Sequence, residues 1–302
     1  MASAKHIEFF DRDHFENFYH RVKAKASINP YIDFFWEFKF DDLWKTHPKG
    51  FQDILFPDLG YTYMINMGTP FVMHLNEEKY KVQSDSFIPR SKNISCWHTP
   101  GNRIFGIKFK VSPVIFQKEI NFSEYKDYVF PLSYLIDRNV VSCVKNAASF
   151  IERANIITAY YEKIITENAG KVKKVSIVTS ILKQWYEDNN FSLLIKDIAA
   201  INAISERTLQ RYFEITVGIN CKRAQQLARV RKAIYHFIYA PETFNFSHYN
   251  YYDSSHFYRH AKQFFHNHTN ADITITLQTR FQLRHVQRMS KKPTNFLLPK
   301  TV

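Results

Sequence analysis

Cysteine is scarce in this chain, with only Cys96, Cys143 and Cys221 in 302 residues. An odd, widely spaced set builds no disulfide framework and has no zinc-ligand spacing, and it suits a reduced cytosol. Long apolar runs are missing as well, so no membrane span is expected. The first residues, MASAKHIEFFDRDHFENF, carry acids where a secretion signal needs an apolar stretch, which places the expected chain in the cytoplasm. There is no low-complexity tract, no repeat of solenoid period and no Gly/Ser linker. Acid is scarce in one half only. Residues 1–170 hold 21 Lys+Arg against 20 Asp+Glu, a net of +1; residues 171–302 hold 20 against 8, a net of +12, which together make the chain's +13. A basic half joined to a neutral half points to a polyanion-binding domain fused to a second function, against the plainer reading of a merely basic surface.

What is present is 45% apolar and 17% aromatic, ample for real cores. In residues 1–135, FQDILFPDLGYTYMINMG, FVMHLN, SFIPRS and RIFGIKFKVSP alternate apolar and polar positions, broken by Gly, Pro, Asn and Asp. Short strands so spaced predict a small barrel or sandwich. From about residue 139 the period becomes helical. VSCVKNAASFIERANIITAYYEKIITENAG runs to a stop at Gly170, and KVKKVSIVTSILKQWYEDN continues in the same style, so residues 136–175 read as a helical connector.

In residues 192–239, Ile195, Ile198 and Ala199 mark one face of a short helix, and a turn follows at Asn202–Ile204. Ser205 is placed to cap the next helix by accepting from its free N–H groups. There Leu209 and Phe213 point inward, leaving Glu206, Arg207, Gln210 and Arg211 outward, and Gly218 ends the helix. This is a helix-turn-helix with a polar, cationic outer face. A longer helix, 221–239, carries Arg223, Arg229, Arg231 and Lys232.

Residues 175–270 resemble the DNA-binding domain of AraC-type (AraC/XylS) transcriptional regulators. TLQRYFEITVGI is similar to the end of that family's first helix-turn-helix, ARVRKA to its linker helix with Arg229 and Ala233 at the R-x-x-x-A positions, and YYDSSHFYRHAKQFF to its second unit. Two separated motifs in order and spacing make the match specific. Asn250 stands where relatives carry Gly, Phe246 where a small residue packs, Ala261 where Phe is common, His266 and Thr269 in place of a closing Gly and Pro, and Cys221 in place of a Pro. The resemblance implies an α+β chain: a small cupin-like β-barrel at 1–135 for sensing or dimerisation, then an all-α domain at 176–270 with two helix-turn-helix units joined by a linker helix. A basic tail, 271–302, follows. It implies a sequence-specific DNA-binding regulator, not an enzyme, with duplex DNA as partner, a small-molecule effector or homodimerisation through the N-terminal domain, and RNA polymerase as a further partner if it activates. No cofactor is implied.

The stretch NYYDSSHFYRHAKQFFHNH contains His256, His260, His266 and His268. With Asp253 as cap of a helix over 254–265, Phe257, Ala261 and Phe264 form an inward stripe. By the resemblance, Ser254, Ser255, His256 and Arg259 face bases in this unit, as Arg207, Gln210 and Arg211 do in the first. His256 and His260 stand four apart, yet no Glu lies between them as in H-E-x-x-H and no cysteine is near, so solvated or DNA-facing roles are preferred to a metal site. In the N-terminal half, His74 and His98 lack the close H-x-H pair of a catalytic cupin, which leaves a cupin-type metal enzyme with a helical appendage as the alternative reading. Tyr61, Tyr63, Phe71 and Trp97 either line a pocket or fill a core. No carboxylate pair is placed by any motif.

Overall fold

The structure is a computed structural model that describes residues 4–168, 170 and 172–266. The expected basic tail and His268 lie outside the described residues, as do the last positions of the 176–270 span.

The chain is α+β, with its sheets in the N-terminal half and helices after them. The expected barrel takes the form of two open sheets. One has five strands in the order β1 (Ala4–Ile7), β4 (Phe51–Leu55), β9 (Ile94–His98), β6 (Phe71–Leu75), β7 (Glu78–Val82). The other has six: β11 (Phe130–Pro131), β8 (Ser86–Pro89), β5 (Tyr61–Asn66), β10 (Ile104–Phe109), β3 (Ile32–Phe38), β2 (Tyr19–Lys23). Among the described residues no ladder joins one sheet to the other, so each keeps two edges. β1 pairs in parallel with β4, His6 opposite Asp53.

Central strands β5 and β10 are buried at every position because both faces are covered. Tyr61, Tyr63, Ile65, Phe105, Ile107 and Phe109 face a core closed by α3 (Arg138–Asn146) and α4 (Phe150–Asn168). Met64 and Ile104 face the five-stranded sheet and its Phe51, Phe71, Met73 and Ile94. Tyr61 and Tyr63 are therefore core residues, while Phe71 belongs to the second core and Trp97 is half-buried. The helical stretch after residue 139 is two helices, broken at 147–149 by a reciprocal cap. Ser149 Oγ accepts from the Glu152 amide at 3.2 Å, and Glu152 Oε2 accepts from the Ala148 amide at 2.7 Å.

The helices α5 (Lys173–Tyr186), α6 (Ile195–Ile201), α7 (Glu206–Val217), α8 (Cys221–Tyr239) and α9 (Ser254–His266) follow. Their core does not stop at the domain boundary. Val178, Trp185, Leu209, Phe213, Ala233 and Phe257 share one cluster with Phe9, Phe56, Leu59, Val111 and Ile115 from the sheet half. Phe56 meets Phe265 edge-on at 4.7 Å, and Phe9 meets Phe264 at 6.3 Å. Short helices α1 (Arg12–Asn17) and α2 (Phe40–Thr46) complete the sheet half.

The end of α7 is seated on the sheet half through Gly218. Its φ of +86° is the left-handed C-cap that glycine permits, and an added Cβ would lie 2.3 Å from the Tyr61 hydroxyl. That hydroxyl donates to the Phe122 carbonyl at 2.5 Å, so the ring is not free to retreat. Gly218→Ala is expected to lower stability by about 1–3 kcal/mol, the scale of a strained left-handed residue, with the crowding added. Urea denaturation of the two chains checks it; an unchanged midpoint would show that the contact yields freely.

Candidate functional site

The first helix-turn-helix is α6, a turn and α7. Ser205 Oγ accepts from the Thr208 amide at 3.1 Å, so the cap lies where the sequence places it. Leu209 and Phe213 are fully buried against Trp185, and Arg207 and Arg211 are exposed on the other face. Gln210 is half-buried, and its Oε1 accepts from the Cys221 amide at 2.8 Å, at the start of α8. It therefore ties α7 to α8, which spacing alone did not reveal. Cys221 stands where the resemblance expects proline, and unlike proline it has an N–H to give.

The second unit is reduced. Its first helix is a single 3-10 turn, Phe246–Tyr249, after which Asn250 turns the chain with φ +56°. Asn is the residue other than glycine that tolerates this conformation, and here its Nδ2 donates to the Phe191 carbonyl at 3.2 Å. The Gly-to-Asn departure thus adds a bond that glycine cannot make. Asp253 Oδ1 accepts from the His256 amide at 2.7 Å, capping α9, and Phe257, Ala261 and Phe264 are buried in a stripe. Ser255 and Arg259 are exposed, and Ser254 and His256 are half-buried at the first turn.

Between the units α8 acts as the shared spine. Ala233 is fully buried, as close packing at that position requires. Arg229 stacks over the Tyr251 ring at 4.7 Å. His236 bridges Tyr249 and Thr243, at 2.9 and 2.8 Å. The ring of His260 lies 4.5 Å from that of His256. Burial, with the nearby Arg229 charge, lowers the His260 pKa to about 4. The same two causes lower His256. Among the described residues no third ligand joins this pair in a metal-binding group. His98 is buried with Nδ1 2.7 Å from Asn102 Oδ1, whereas His74 is exposed, so these two share no site.

Facing α8 across the domain boundary is a cavity of about 350 Å³. Its lining combines apolar Phe38, Met64, Phe71, Met73, Ile88 and Ile104 with Arg12, Arg21, Arg90, Lys108, Arg231 and Lys232 and with the acids Glu8 and Asp58. Arg231, one of five Lys and Arg residues on the linker helix, is the pivot. It donates to Glu8, and to the Pro57 carbonyl at 3.0 Å, and its Nε is 3.4 Å from Asp58 Oδ1. Lys108 reaches Asp58 Oδ2 at 3.4 Å from inside the sheet. Burial works against the Asp58 charge, but Arg231, Lys108 and Arg90 outweigh it and hold its pKa below the ordinary range. Burial likewise opposes the Arg231 charge, and Asp58 with Glu8 overcomes it. Arg90 is 6% exposed, and its Nη1 has no hydrogen-bond partner among the described residues.

The chain is similar in arrangement to solved bacterial proteins. An apo variant of ToxT from Vibrio cholerae matches with a TM-score of 0.43 at 11% identity, over 80% of this chain and 95% of that one. Unsaturated-fatty-acid-bound ToxT from the same organism matches at 0.41 and 11%, over 72% and 88%. The AraC-like transcriptional activator CuxR matches at 0.25 and 10%, over 76% and 89%. No protein-family model and no curated protein matches the chain. The resemblance to AraC-type regulators is carried by the sequence motifs. Each neighbour is a likeness and assigns no residue here.

Arg231→Met is expected to destabilise the chain by about 3–5 kcal/mol, because buried Asp58 and half-buried Glu8 are left with less countercharge. The stability that Asp58 contributes has a definite pH sense. Its folded pKa lies below its unfolded value of about 3.9, so the contribution is complete above that pH and is lost as pH falls through the folded value. Denaturation followed from pH 7 downward should show the wild type losing this increment only below about pH 4, and the Asp58→Asn chain lacking it throughout. Equal stabilities for the wild type and Arg231→Met would show the cluster to be idle.

Proposed function

We propose that this chain is a sequence-specific DNA-binding transcriptional regulator whose N-terminal half holds a small effector against the linker helix. The observation that carries the reading is the pair of capped helices, α7 and α9, packed on the one spine α8 in the basic half of the chain. A helix-turn-helix presents the N-terminal turns of its second helix to base edges in the major groove. In α7 these are Arg207 and Arg211, with Gln210 between them held by the Cys221 amide. In α9 they are Ser254, Ser255, His256 and Arg259. Arginine forms a bidentate pair with guanine O6/N7, hydroxyls serve base or phosphate, and a neutral imidazole donates through one nitrogen. The protein acts in the cytoplasm on duplex DNA, as a homodimer where its operator is a repeat, and meets RNA polymerase if it activates.

The effector reading stands on the cavity. The lining is largely apolar, and Arg90 Nη1, on a buried guanidinium whose Nη2 donates to the Phe56 carbonyl at 3.4 Å, has no hydrogen-bond partner among the described residues. A carboxylate with an apolar chain satisfies both features. Unsaturated-fatty-acid-bound ToxT is a neighbour with a ligand of that kind. Occupancy would bear on α8 through Arg231 and Lys232, and so on both recognition helices at once. The catalytic alternative finds no support in His74 and His98, one exposed and the other committed to Asn102.

Selection of bound sites from random duplexes, followed by footprinting with the full chain, tests the DNA reading. Arg211→Ala is expected to cost about 1–3 kcal/mol on the selected site and less on unrelated DNA. The Arg259→Ala/His256→Ala chain should lose protection over one segment of the site, about one helical turn (roughly 34 Å) from the segment it keeps. Absence of salt-sensitive DNA binding by the wild type would sink the proposal.

Titration with a long-chain fatty acid tests the cavity separately. Arg90→Met should weaken uptake at least about tenfold, the loss of one charge-assisted pair. Equal uptake by the two chains would remove Arg90 from the site.

A further inference from the structure

One side-chain cluster belongs neither to the cavity's apolar lining nor to the DNA-facing helices. β1 places His6 opposite Asp53 of β4. Helix α1 lays His14 over them, and the end of α2 brings in His47. The ligand atoms of the three histidines all lie within 4.8 Å of one another. The rings of His6 and His14 are parallel at 3.6 Å, and that of His47 meets His6 edge-on at 5.0 Å. Asp53 Oδ1 is 3.1 Å from His14 Nε2 but is not aligned with it as a hydrogen bond, while Oδ2 takes the Tyr19 hydroxyl. His14 is 4% exposed and Asp53 1%.

Among the described residues, His6 Nε2, both ring nitrogens of His14, His47 Nε2 and Asp53 Oδ1 have no hydrogen-bond partner. Folded chains leave only a few such buried atoms, and here five belong to four neighbouring side chains.

We propose that His6, His14 and His47 form a site for one divalent transition-metal ion of the zinc class, with the Asp53 carboxylate beside His14. Imidazole ligands suit zinc and its first-row neighbours, whereas calcium and magnesium need oxygen-rich shells. Binding draws the nitrogens in until each stands about 2.0–2.1 Å from the ion. Three histidines supply three corners of a tetrahedron, and the fourth is left to water. The ion ties residues 4–14 to the end of α2, and that segment also carries Glu8, the partner of Arg231, and Phe9, which packs on α9. The sequence offers no motif for this site, since its ligands are spaced eight and thirty-three residues apart.

The test uses the full chain, stripped with a chelator and equilibrated with zinc chloride alone. One zinc per chain by mass spectrometry is expected. Cobalt(II) in its place should give the visible absorption of a tetrahedral ion. His6→Gln and His47→Gln, both at half-buried positions, should each weaken zinc binding at least about tenfold, whereas exposed His74→Gln should not change it. Zinc should raise the wild-type thermal midpoint in a concentration-dependent way and leave the double variant's in place. Failure of the wild type to bind zinc, or equal binding by the His6→Gln/His47→Gln chain, would overturn the proposal. Should the variants fail to fold, the cobalt spectrum of the wild type decides, and a spectrum without tetrahedral bands overturns it. No DNA enters these measurements, so their outcome is separate from that of the DNA reading.

Discussion

The arrangement of the two halves turns on one guanidinium group. Arg231 projects from the middle of the linker helix and is held by Glu8, Asp58 and two carbonyls of the sheet half. A buried ion pair is a weak source of net stability, because desolvation cancels most of the attraction. It is a strong source of specificity, because a misplaced partner leaves a buried charge with nothing to face. Lys108 completes the arrangement from the opposite side of Asp58, inside a strand whose other residues are apolar. Register, helix rotation and the approach of the two halves are thereby fixed together: a quarter-turn of α8 would take Arg231 away from both acids.

Around this pivot the apolar contacts are unspecific by nature and large by number. Phe9 and Phe56 reach the end of α9, and Tyr61 meets the end of α7. Phe9 reaches Phe264 from a backbone with φ +71°, a conformation that bulky residues seldom adopt, and Arg231 lies over its ring at 5.0 Å. The strain is tolerated where charge and core burial meet. Helices α7 and α9 are therefore referred to the same frame, one at its C-terminal cap and the other along its buried stripe.

Much of this could be read from local chemistry. Ser205, Asp253 and Gly218 announce helix ends by hydrogen bonding and by left-handed backbone, and each acts within a few residues of itself. The stripes Leu209–Phe213 and Phe257–Ala261–Phe264 follow from helical period. The Ser149–Glu152 cap that divides α3 from α4 carried the same kind of signal, but apolar periodicity on both sides masked it. What was not legible is long-range. β2 and β3 are separated by a loop without glycine, and β2 is an edge strand with little apolar content. Closure of a barrel depends on strand pairing that no pattern specifies. Arg231 looked like its neighbours Arg223 and Lys232, and only the opposite wall distinguishes it. Gln210 has outward spacing but reaches a free amide eleven residues on. The histidines at 6, 14 and 47 come from β1, α1 and the end of α2, and they meet only through tertiary packing.

The continuous apolar cluster that runs from Phe9 and Phe56 into α5, α7, α8 and α9 also bears on how such a molecule can diversify. Where domains meet through a wet, polar seam, recombination can graft a new sensor onto an old reader and the product still folds. Here a graft would have to match aromatic shapes on both sides and reproduce an acid pair opposite residue 231. Change by exchange of whole halves is closed to it. Change on each exposed face, with the shared interior held constant, stays open.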